Sequence, residues 1–514
     1  MKKWFFLVIA ALSLFGVFSS PDALAQTTPK RGGIIRVGTN MDLPSPDIHV
    51  TTTLITAALM SHVHETLVGF GEDMEFVPVL AERWEVSSDF KTYTFYLRKG
   101  KLFHNGREMV ADDVKFSLER IMRLSPKKSQ LENISRIEVL DKYTVRLHMK
   151  KTDASLLGSL GNFEPCMGIV PQEVEKQGDA MTHPIGTGPF KFVEWKPDRY
   201  LLLERFDQYT PQPGPVNGFG GERIPYLDKV QFVPITEESV ANMALLNKEI
   251  DFLWYVPFKD VETYRKEYSK RGIVLDSIPG GAFYFAYFGC RSPLTQNVKF
   301  RRACAYAIDQ ELVMQAAIRG YGVVNPSFVA ANSKLHTPPH DKWYKKDVNK
   351  AKQLLQEIGY KGEPLEIKTT KRYEGLYKAA LTINSELTAA GINAQINVME
   401  WANMVQAQYK GDLQMMTYAL SPRPDPVQSY FYMKFNGFID EDPRMGRILE
   451  EAEKTMDFDK RRKLFEEAHS LVYEGVPIIG FYNYNYQQAH WNYVKGYKIW
   501  GTSVPRFWGV WLDK

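Results

Sequence analysis

The chain has 514 residues, of which 44% are hydrophobic and 24% charged, proportions typical of a globular protein. This length exceeds what one hydrophobic core normally organises, so we expect two or three lobes. The formal net charge of +4 is small and no polybasic run occurs, so we expect no nucleic-acid partner.

The N-terminus has the three parts of an export signal. Lys2 and Lys3 precede an apolar segment, and the sequence Ala-Leu-Ala that ends at Ala25 is a small-x-small cleavage site. The apolar segment is too short for a typical transmembrane span, although a retained N-terminal anchor is the alternative. We therefore predict a periplasmic protein that begins at Gln26. No cysteine lies near the cleavage site, so we expect no lipid anchor.

The three cysteines, Cys166, Cys290 and Cys304, are an odd number for an oxidising compartment. At least one of them must be free. Cys304 lies in an apolar helical pattern, where a thiol behaves as a small hydrophobic group. We expect no structural disulfide.

Residues 80–121 predict a strand, a loop and a helix in that order. Apolar residues alternate with more polar ones in the first half, as in a half-buried strand. These strand positions are Tyr93, Phe95 and Leu97. Helical spacing then places apolar residues on one face. This face contains Val114, Leu118, Ile121 and Met122.

Residues 347–398 predict two helices and two strands that include a β-α-β unit. The first helix ends at Gly359, and the second, which begins near Leu376, ends at Gly391. A strand from Leu365 precedes the second helix, and another with alternating apolar residues follows it. A strand, a crossover helix and a strand indicate a parallel sheet. Residues 293–313 predict a further helix, and residues 464–481 a helix followed by a strand.

Six sequence blocks together resemble the family 5 extracellular solute-binding proteins, the periplasmic receptors of peptide/opine/nickel-type ABC importers. They are residues 80–121 and the segments GTGPF, RRACAYAID, DVNKAKQLLQEIGY, RPDP and EGVPIIGFY. The resemblance implies an α/β periplasmic binding protein-like clamshell, with two lobes joined by two crossover strands and an extra subdomain inserted in the first lobe. The implied divisions are 30–68, 184–283 and 482–514 for lobe I, 69–183 for the subdomain, and 284–481 for lobe II.

The loop from Tyr418 to Pro426 is the strongest candidate for ligand contact. Its prolines restrict the backbone, so the loop can present Arg423 and Asp425 in fixed positions. Arginine matches a carboxylate or phosphate, and aspartate accepts hydrogen bonds from an amine or hydroxyl. The alternative is that Asp425 caps the following helix and Arg423 is solvated.

In peptide-binding members of the family that this chain resembles, an aspartate of this loop holds the ligand's amino terminus. That position corresponds to Pro422 here. The difference favours another small polar, carboxylate-bearing metabolite: a modified peptide, an opine or a sugar derivative.

Other candidate pocket residues are aromatic or follow strands. Trp401 begins a helix directly after a strand, the position where ligands of open α/β sheets usually bind, and Asn40 follows the first strand in the same way. The aromatic candidates near the predicted crossovers are Phe283, Tyr284, Tyr482 and Tyr484. For each of these residues, packing in the core is the alternative.

No catalytic or metal site is predicted. Ser125 and Lys128 match the Ser-x-x-Lys pattern of serine acyltransferases, but Pro126 breaks the helix that this chemistry needs. His62 and His64 are two positions apart in a helical pattern, so they cannot jointly bind a metal. We expect no cofactor.

The resemblance implies a monomeric solute receptor, not an enzyme. It would capture a small molecule by hinge closure and deliver it to an ABC permease complex in the inner membrane. A periplasmic hydrolase or peptidase, and a chemosensory receptor with the same clamshell, are the alternatives.

Overall fold

A computed structural model describes residues 28–51, 53–161, 167–176, 183–421, 423, 425–455 and 457–514. The predicted signal segment, its cleavage site and Cys166 lie outside these residues. The strands are β1 (Ile34–Thr39), β2 (Val68–Phe70), β3 (Phe76–Pro78), β4 (Ala81–Val86), β5 (Thr92–Leu97), β6 (Ile134–Asp141), β7 (Thr144–Met149), β8 (Phe190–Lys196), β9 (Tyr200–Arg205), β10 (Lys229–Pro234), β11 (Phe252–Leu253), β12 (Ile273–Phe288), β13 (Gly322–Val324), β14 (Leu365–Thr369), β15 (Ala394–Val398), β16 (Met415–Leu420), β17 (Ile478–Trp491), β18 (Val494–Lys495) and β19 (Trp511–Leu512).

Helices flank the strands throughout the described part of the chain. They are α1 (Leu54–Met60), α2 (Ala111–Leu124), α3 (Leu156–Gly161), α4 (Glu173–Lys176), α5 (Glu238–Leu246), α6 (Val261–Thr263), α7 (Val298–Ala307), α8 (Gln310–Ile318), α9 (Val348–Glu357), α10 (Glu374–Ala389), α11 (Trp401–Lys410), α12 (Pro426–Tyr430), α13 (Tyr432–Phe435), α14 (Phe438–Glu441), α15 (Pro443–Ala452) and α16 (Phe458–Gly475). None of them combines the length and hydropathy that a bilayer span needs.

One large sheet has the strand order β15-β14-β16-β12-β17-β11-β1-β10-β9-β8, with β13 also paired to β17. At one end, β1 is parallel to β10 and β11, and these strands with β8 and β9 form the first strand group. At the other end, β14 is parallel to β15 and β16, and these three form the second strand group. Each group has its own buried apolar core.

The long antiparallel strands β12 and β17 connect the two groups. The register between them shifts between Pro279 and Phe283, and again between Tyr284 and Phe285. A Cβ on Gly280 would lie 2.6 Å from the carbonyl oxygen of Tyr484 and 2.7 Å from the ring of Tyr486. Only glycine therefore fits this close approach without a shift of the backbone.

A separate four-stranded antiparallel sheet has the order β4-β5-β7-β6. Helix α2 packs on it, and together they bury their own apolar core. The predicted strand and helix of residues 80–121 are β5 and α2. Tyr93, Phe95 and Leu97 of the strand are all buried, as the alternation predicts.

Most of the predicted elements of the second strand group are confirmed. The β-α-β unit is β14, α10 and β15, its strands are parallel, and Gly359 and Gly391 have the left-handed φ angles of 67° and 90°. Two details differ from the prediction. Because β15 is at the edge of the sheet, Val398 is exposed despite the alternating pattern. Asp309 caps α8, which divides the predicted helix of residues 293–313 into α7 and α8.

Candidate functional site

The carboxyl ends of the parallel strands in both groups point toward the middle of the large sheet. In the first group, β11 is antiparallel to β17, and its last residue, Leu253, pairs with Ala489. The part of β17 that precedes Ala489 in sequence extends toward the second group. In the second group, β16 is antiparallel to β12, and its last residue, Leu420, pairs with Phe283 just after the register shift. The loops after these strands therefore lie over the middle of β12 and β17, and we name this region the central cleft.

Aromatic side chains cross the floor of the central cleft. Phe258, in the loop after β11, lies 6.0 Å from Tyr484, measured between ring centroids. Tyr484 contacts Tyr284 edge-on at 5.6 Å, and Tyr284 stacks on Tyr482 at 5.0 Å. Burial holds the pKa of these three tyrosines well above the usual value, so their hydroxyl groups remain protonated.

A second aromatic group lies at the strand ends of the second strand group. Trp401, at the start of α11, stacks on Tyr418 of β16 with ring centroids 5.3 Å apart, and Tyr373 contacts the indole edge-on at 5.1 Å. Arg372 lies 5.9 Å from the ring of Tyr373. Arg423 lies three residues after Leu420, the last residue of β16. Rings and guanidinium groups thus share one rim of the cleft.

The structure gives Asp425 the capping role that the sequence left as an alternative. Its carboxylate accepts a 3.0 Å hydrogen bond from the backbone N–H of Val427 at the start of α12. Arg461 of α16 donates to the same carboxylate at 2.6 Å, and both side chains are largely buried. Pro422 and Pro424 of this loop lie outside the described residues.

Two of the predicted site residues, Phe283 and Asn40, belong to neither of these aromatic groups. Phe283 stacks on Phe285 at 5.3 Å and contacts Phe328, so it lies in a core on the face opposite to Tyr284. This placement matches the alternative that the sequence left open for Phe283, packing in the core. Asn40 follows β1 and is exposed, as expected for a strand-end residue.

The sequence prediction missed Tyr255, Arg372 and Tyr373. Tyr255 follows β11 in the first group, is exposed, and has its ring centroid 6.5 Å from that of Phe258. The rule that selected Trp401, a residue directly after a parallel strand, also selects Arg372 and Tyr373.

A small cavity of about 40 Å³ lies in the first part of the chain, away from the cleft. Arg223 and Glu65 are fully buried beside it and form an ion pair at 3.1 Å. His64 also lines it, and His62 is buried nearby. Among the residues that the structure describes, no group of three His, Cys, Asp or Glu side chains is arranged to hold a metal ion. Cys290 and Cys304 are free and buried.

The fold and the cleft define the class: an α/β clamshell binding protein with a cleft between two strand groups. The sequence model of bacterial extracellular solute-binding proteins, family 5 Middle, matches residues 75–441. The chain belongs to this family, which confirms the family suggested by the six sequence blocks. Its members are solute-binding proteins of ABC importers.

Relatives of known identity cover nearly the whole chain. The glutathione-binding protein GsiB of Salmonella paratyphi A is 26% identical over 524 residues, 97% of this chain and 96% of the relative. The periplasmic binding protein DppA from Helicobacter pylori, in complex with the peptide STSA, is 26% identical with a TM-score of 0.76, covering 94% of this chain and 99% of that one.

A third relative is AgaA from A. tumefaciens R10, whose structure holds agropinic acid. It is 25% identical with a TM-score of 0.75, over 94% of this chain and 99% of that one. These matches confirm the predicted α/β periplasmic binding protein fold.

Proposed function

We propose that this protein is a periplasmic receptor that captures a small, polar, anionic metabolite in the central cleft and delivers it to an ABC permease in the inner membrane. It acts as a monomer and performs no chemistry on its ligand. A cleaved signal segment of residues 1–25 directs it to the periplasm.

One observation carries this proposal: the carboxyl ends of the parallel strands from both groups border the same cleft. Ligands of open α/β sheets bind at such strand ends, because loops there are free to present side chains. The cleft floor is aromatic, and its rim carries Arg372 and Arg423. Aromatic rings offer rigid contact area, and guanidinium groups match carboxylates, so the lining suits a small organic anion.

The two strand groups correspond to the two lobes of a closing clamshell. We place lobe I at residues 30–68, 184–283 and 482–514, the inserted subdomain at 69–183, and lobe II at 284–481. Strands β12 and β17 then form the hinge, with Gly280 at its tightest point. A ligand that contacts both lobes stabilises the closed form, so affinity and closure are linked.

Individual residues have different roles in this proposal. Arg423 contacts the ligand directly, and Tyr418 and Trp401 form the wall beside it. The ligand also contacts Tyr284, Tyr482 and Tyr484 on the cleft floor, and Asn40 from lobe I. Asp425 holds the loop in position through its helix cap and its ion pair with Arg461.

The ligand class follows from the loop and from the relatives. The names of the relatives mention glutathione, a peptide and agropinic acid. Proline at position 422 supplies no carboxylate for a free amino terminus. We therefore propose a peptide-like, opine-like or sugar-derived ligand whose acidic group is recognised, with an amino terminus that is modified or absent.

Native mass spectrometry of the mature protein, purified without denaturation from its own periplasm, tests this function. The expected result is one bound small molecule per chain, released unchanged on acidification. A thermal-shift screen of peptides, opines and acidic sugars then identifies further ligands. Turnover of a bound molecule would instead favour a hydrolase.

A further inference from the structure

Helix α10 begins at the central cleft without a side-chain cap. Its N-cap residue, Tyr373, makes no capping hydrogen bond, although its carbonyl oxygen accepts from Leu376 at 3.0 Å. The N–H groups of Glu374 and Gly375 precede the first helical hydrogen bonds and need an acceptor from outside the helix. With 16 residues, α10 also has a full macrodipole with its positive end here.

A second observation at the same place is the hydroxyl group of Tyr482. The side chain is fully buried, and its Oη has no hydrogen-bond partner among the residues that the structure describes. A Cβ on Gly375 would lie 3.8 Å from this oxygen and 3.8 Å from Oη of Tyr284. A buried hydroxyl without a partner costs free energy, so this hydroxyl beside a helix N-terminus is a candidate donor to a bound ligand.

The surrounding charges favour an anion. Lys371 and Arg372 directly precede the helix and are exposed toward solvent. The one acidic side chain in the first turn, Glu374, pairs with Lys378 at 2.7 Å along the helix surface. Positive potential therefore comes from the helix end and from two cations, and within the described first turn of α10 the partly neutralised carboxylate of Glu374 opposes it.

We propose that the N-terminus of α10 and the hydroxyl groups of Tyr482 and Tyr284 form the subsite for the acidic group of the solute. This inference rests on the proposed function and adds the position of the anion. The N–H groups of Glu374 and Gly375 donate to the anion from the helix, and the two hydroxyl groups donate from the hinge strands. Tyr482, Tyr284 and residues of α10 pack in the same buried core, so the donors of the subsite are already together in this structure.

The donors of the subsite suit an oxyanion, which can belong to a carboxylate or to a phosphate group of the ligand. The probes are acetate, succinate and inorganic phosphate, titrated at constant ionic strength against sodium chloride, with the melting temperature of the full mature protein as the readout. Stabilisation by acetate or succinate assigns a carboxylate, and stabilisation by phosphate alone assigns a phosphate ester.

Three variants test the named donors. Tyr482→Phe removes one hydroxyl group and should weaken anion binding by about tenfold or more, since hydrogen bonds to charged groups are strong. Because this hydroxyl has no partner in the described part of the chain, the melting temperature without anion should not fall. Glu374→Gln removes a competing charge and should tighten binding. Tyr430→Phe removes another buried hydroxyl group, distant from α10, and is the matched control that should bind as the wild type does.

Two results would overturn the inference. One is the absence of stabilisation by all three anions beyond the chloride control. The other is equal stabilisation of the wild type and Tyr482→Phe. Neither result affects the proposed function if native mass spectrometry still finds a bound solute, so the two failures are distinguishable. A wild-type response that Tyr482→Phe reduces and Glu374→Gln increases supports the subsite.

Discussion

Arg461 donates a 2.6 Å hydrogen bond to the carboxylate of Asp425, which also caps helix α12. The pair joins the loop after β16 to the long helix α16. The side chains are 11% and 13% exposed, so water competes little for either partner. Asp425 is thus held by the protein itself, and the loop presents Arg423 from a fixed base.

Asp425→Ala should lower the free energy of unfolding by about 1–3 kcal/mol, because it removes a helix cap and leaves Arg461 without its carboxylate. Denaturant unfolding of the ligand-free protein measures this change. Asp425→Asn is the matched variant: it keeps the capping oxygen and loses only the ion pair, so it should be the less destabilised of the two. Unchanged stability in both variants would show that the cap and the ion pair contribute nothing.

Arg423→Ala should weaken binding of the native solute by roughly 30-fold or more, since losing one side of a desolvated charge pair costs about 2–5 kcal/mol. Surface plasmon resonance or calorimetry gives the affinity, and faster release should account for most of the loss. Arg291 is the control, because it lies at the opposite edge of the sheet beside Asp412 and Leu413. Equal affinities of Arg423→Ala and Arg291→Ala would remove Arg423 from the site.

Glu65→Ala should destabilise the protein by about 3–5 kcal/mol, because it leaves the fully buried guanidinium of Arg223 unpaired. Tyr209 donates to the same carboxylate at 3.0 Å and also loses its acceptor. The double variant Glu65→Gln with Arg223→Met should be more stable than the sum of the single changes predicts. Additive losses would mean that the two side chains are not coupled.

Stability should fall as the pH drops from about 6.5 toward 4. Burial lowers the pKa of His49 and His104 to about 4 and that of His62 to about 3. The folded state therefore binds fewer protons than the unfolded chain, whose histidines titrate near 6.5, so acid favours unfolding. The hydrogen bonds of His104 require a neutral ring in the folded state. Its Nε2 donates to the carbonyl oxygen of Gly188, while its Nδ1 accepts from the backbone N–H of Gly186.

Melting temperatures measured between pH 7.5 and pH 4.5 check this prediction. His104→Gln should reduce the slope of stability against pH, because one histidine fewer takes up a proton on unfolding. A melting temperature independent of pH over this range would contradict the neutral buried histidines.

Periodicity predicted the local elements well, because an amphipathic helix or an alternating strand is determined by its own residues. The β14-α10-β15 unit, whose helix ends before Gly391, is an example. Periodicity failed where burial depends on distant strands. Phe283 and Tyr284 are neighbours in one strand, and only the tertiary packing shows that Phe283 lies in a core with Phe285 and Phe328.

Part of the candidate site was predictable, because strand ends can be identified from local sequence. Trp401, Tyr418 and Arg423 follow or end parallel strands, and the sequence identifies such positions. The partner of Asp425 was not predictable, because Arg461 is 36 residues away in another helix. Gly375 and Tyr482 are also far apart in sequence, and no local pattern links a helix start to a tyrosine on the hinge strand.

Small-angle X-ray scattering on the mature protein, with and without its native solute, tests the central claim most directly. Capture between two lobes requires the solute to favour a closed form, so saturating solute should reduce the radius of gyration and raise the melting temperature together. A solute that binds one-to-one and stabilises the protein while leaving the radius of gyration of a demonstrably open ligand-free form unchanged would contradict capture by closure.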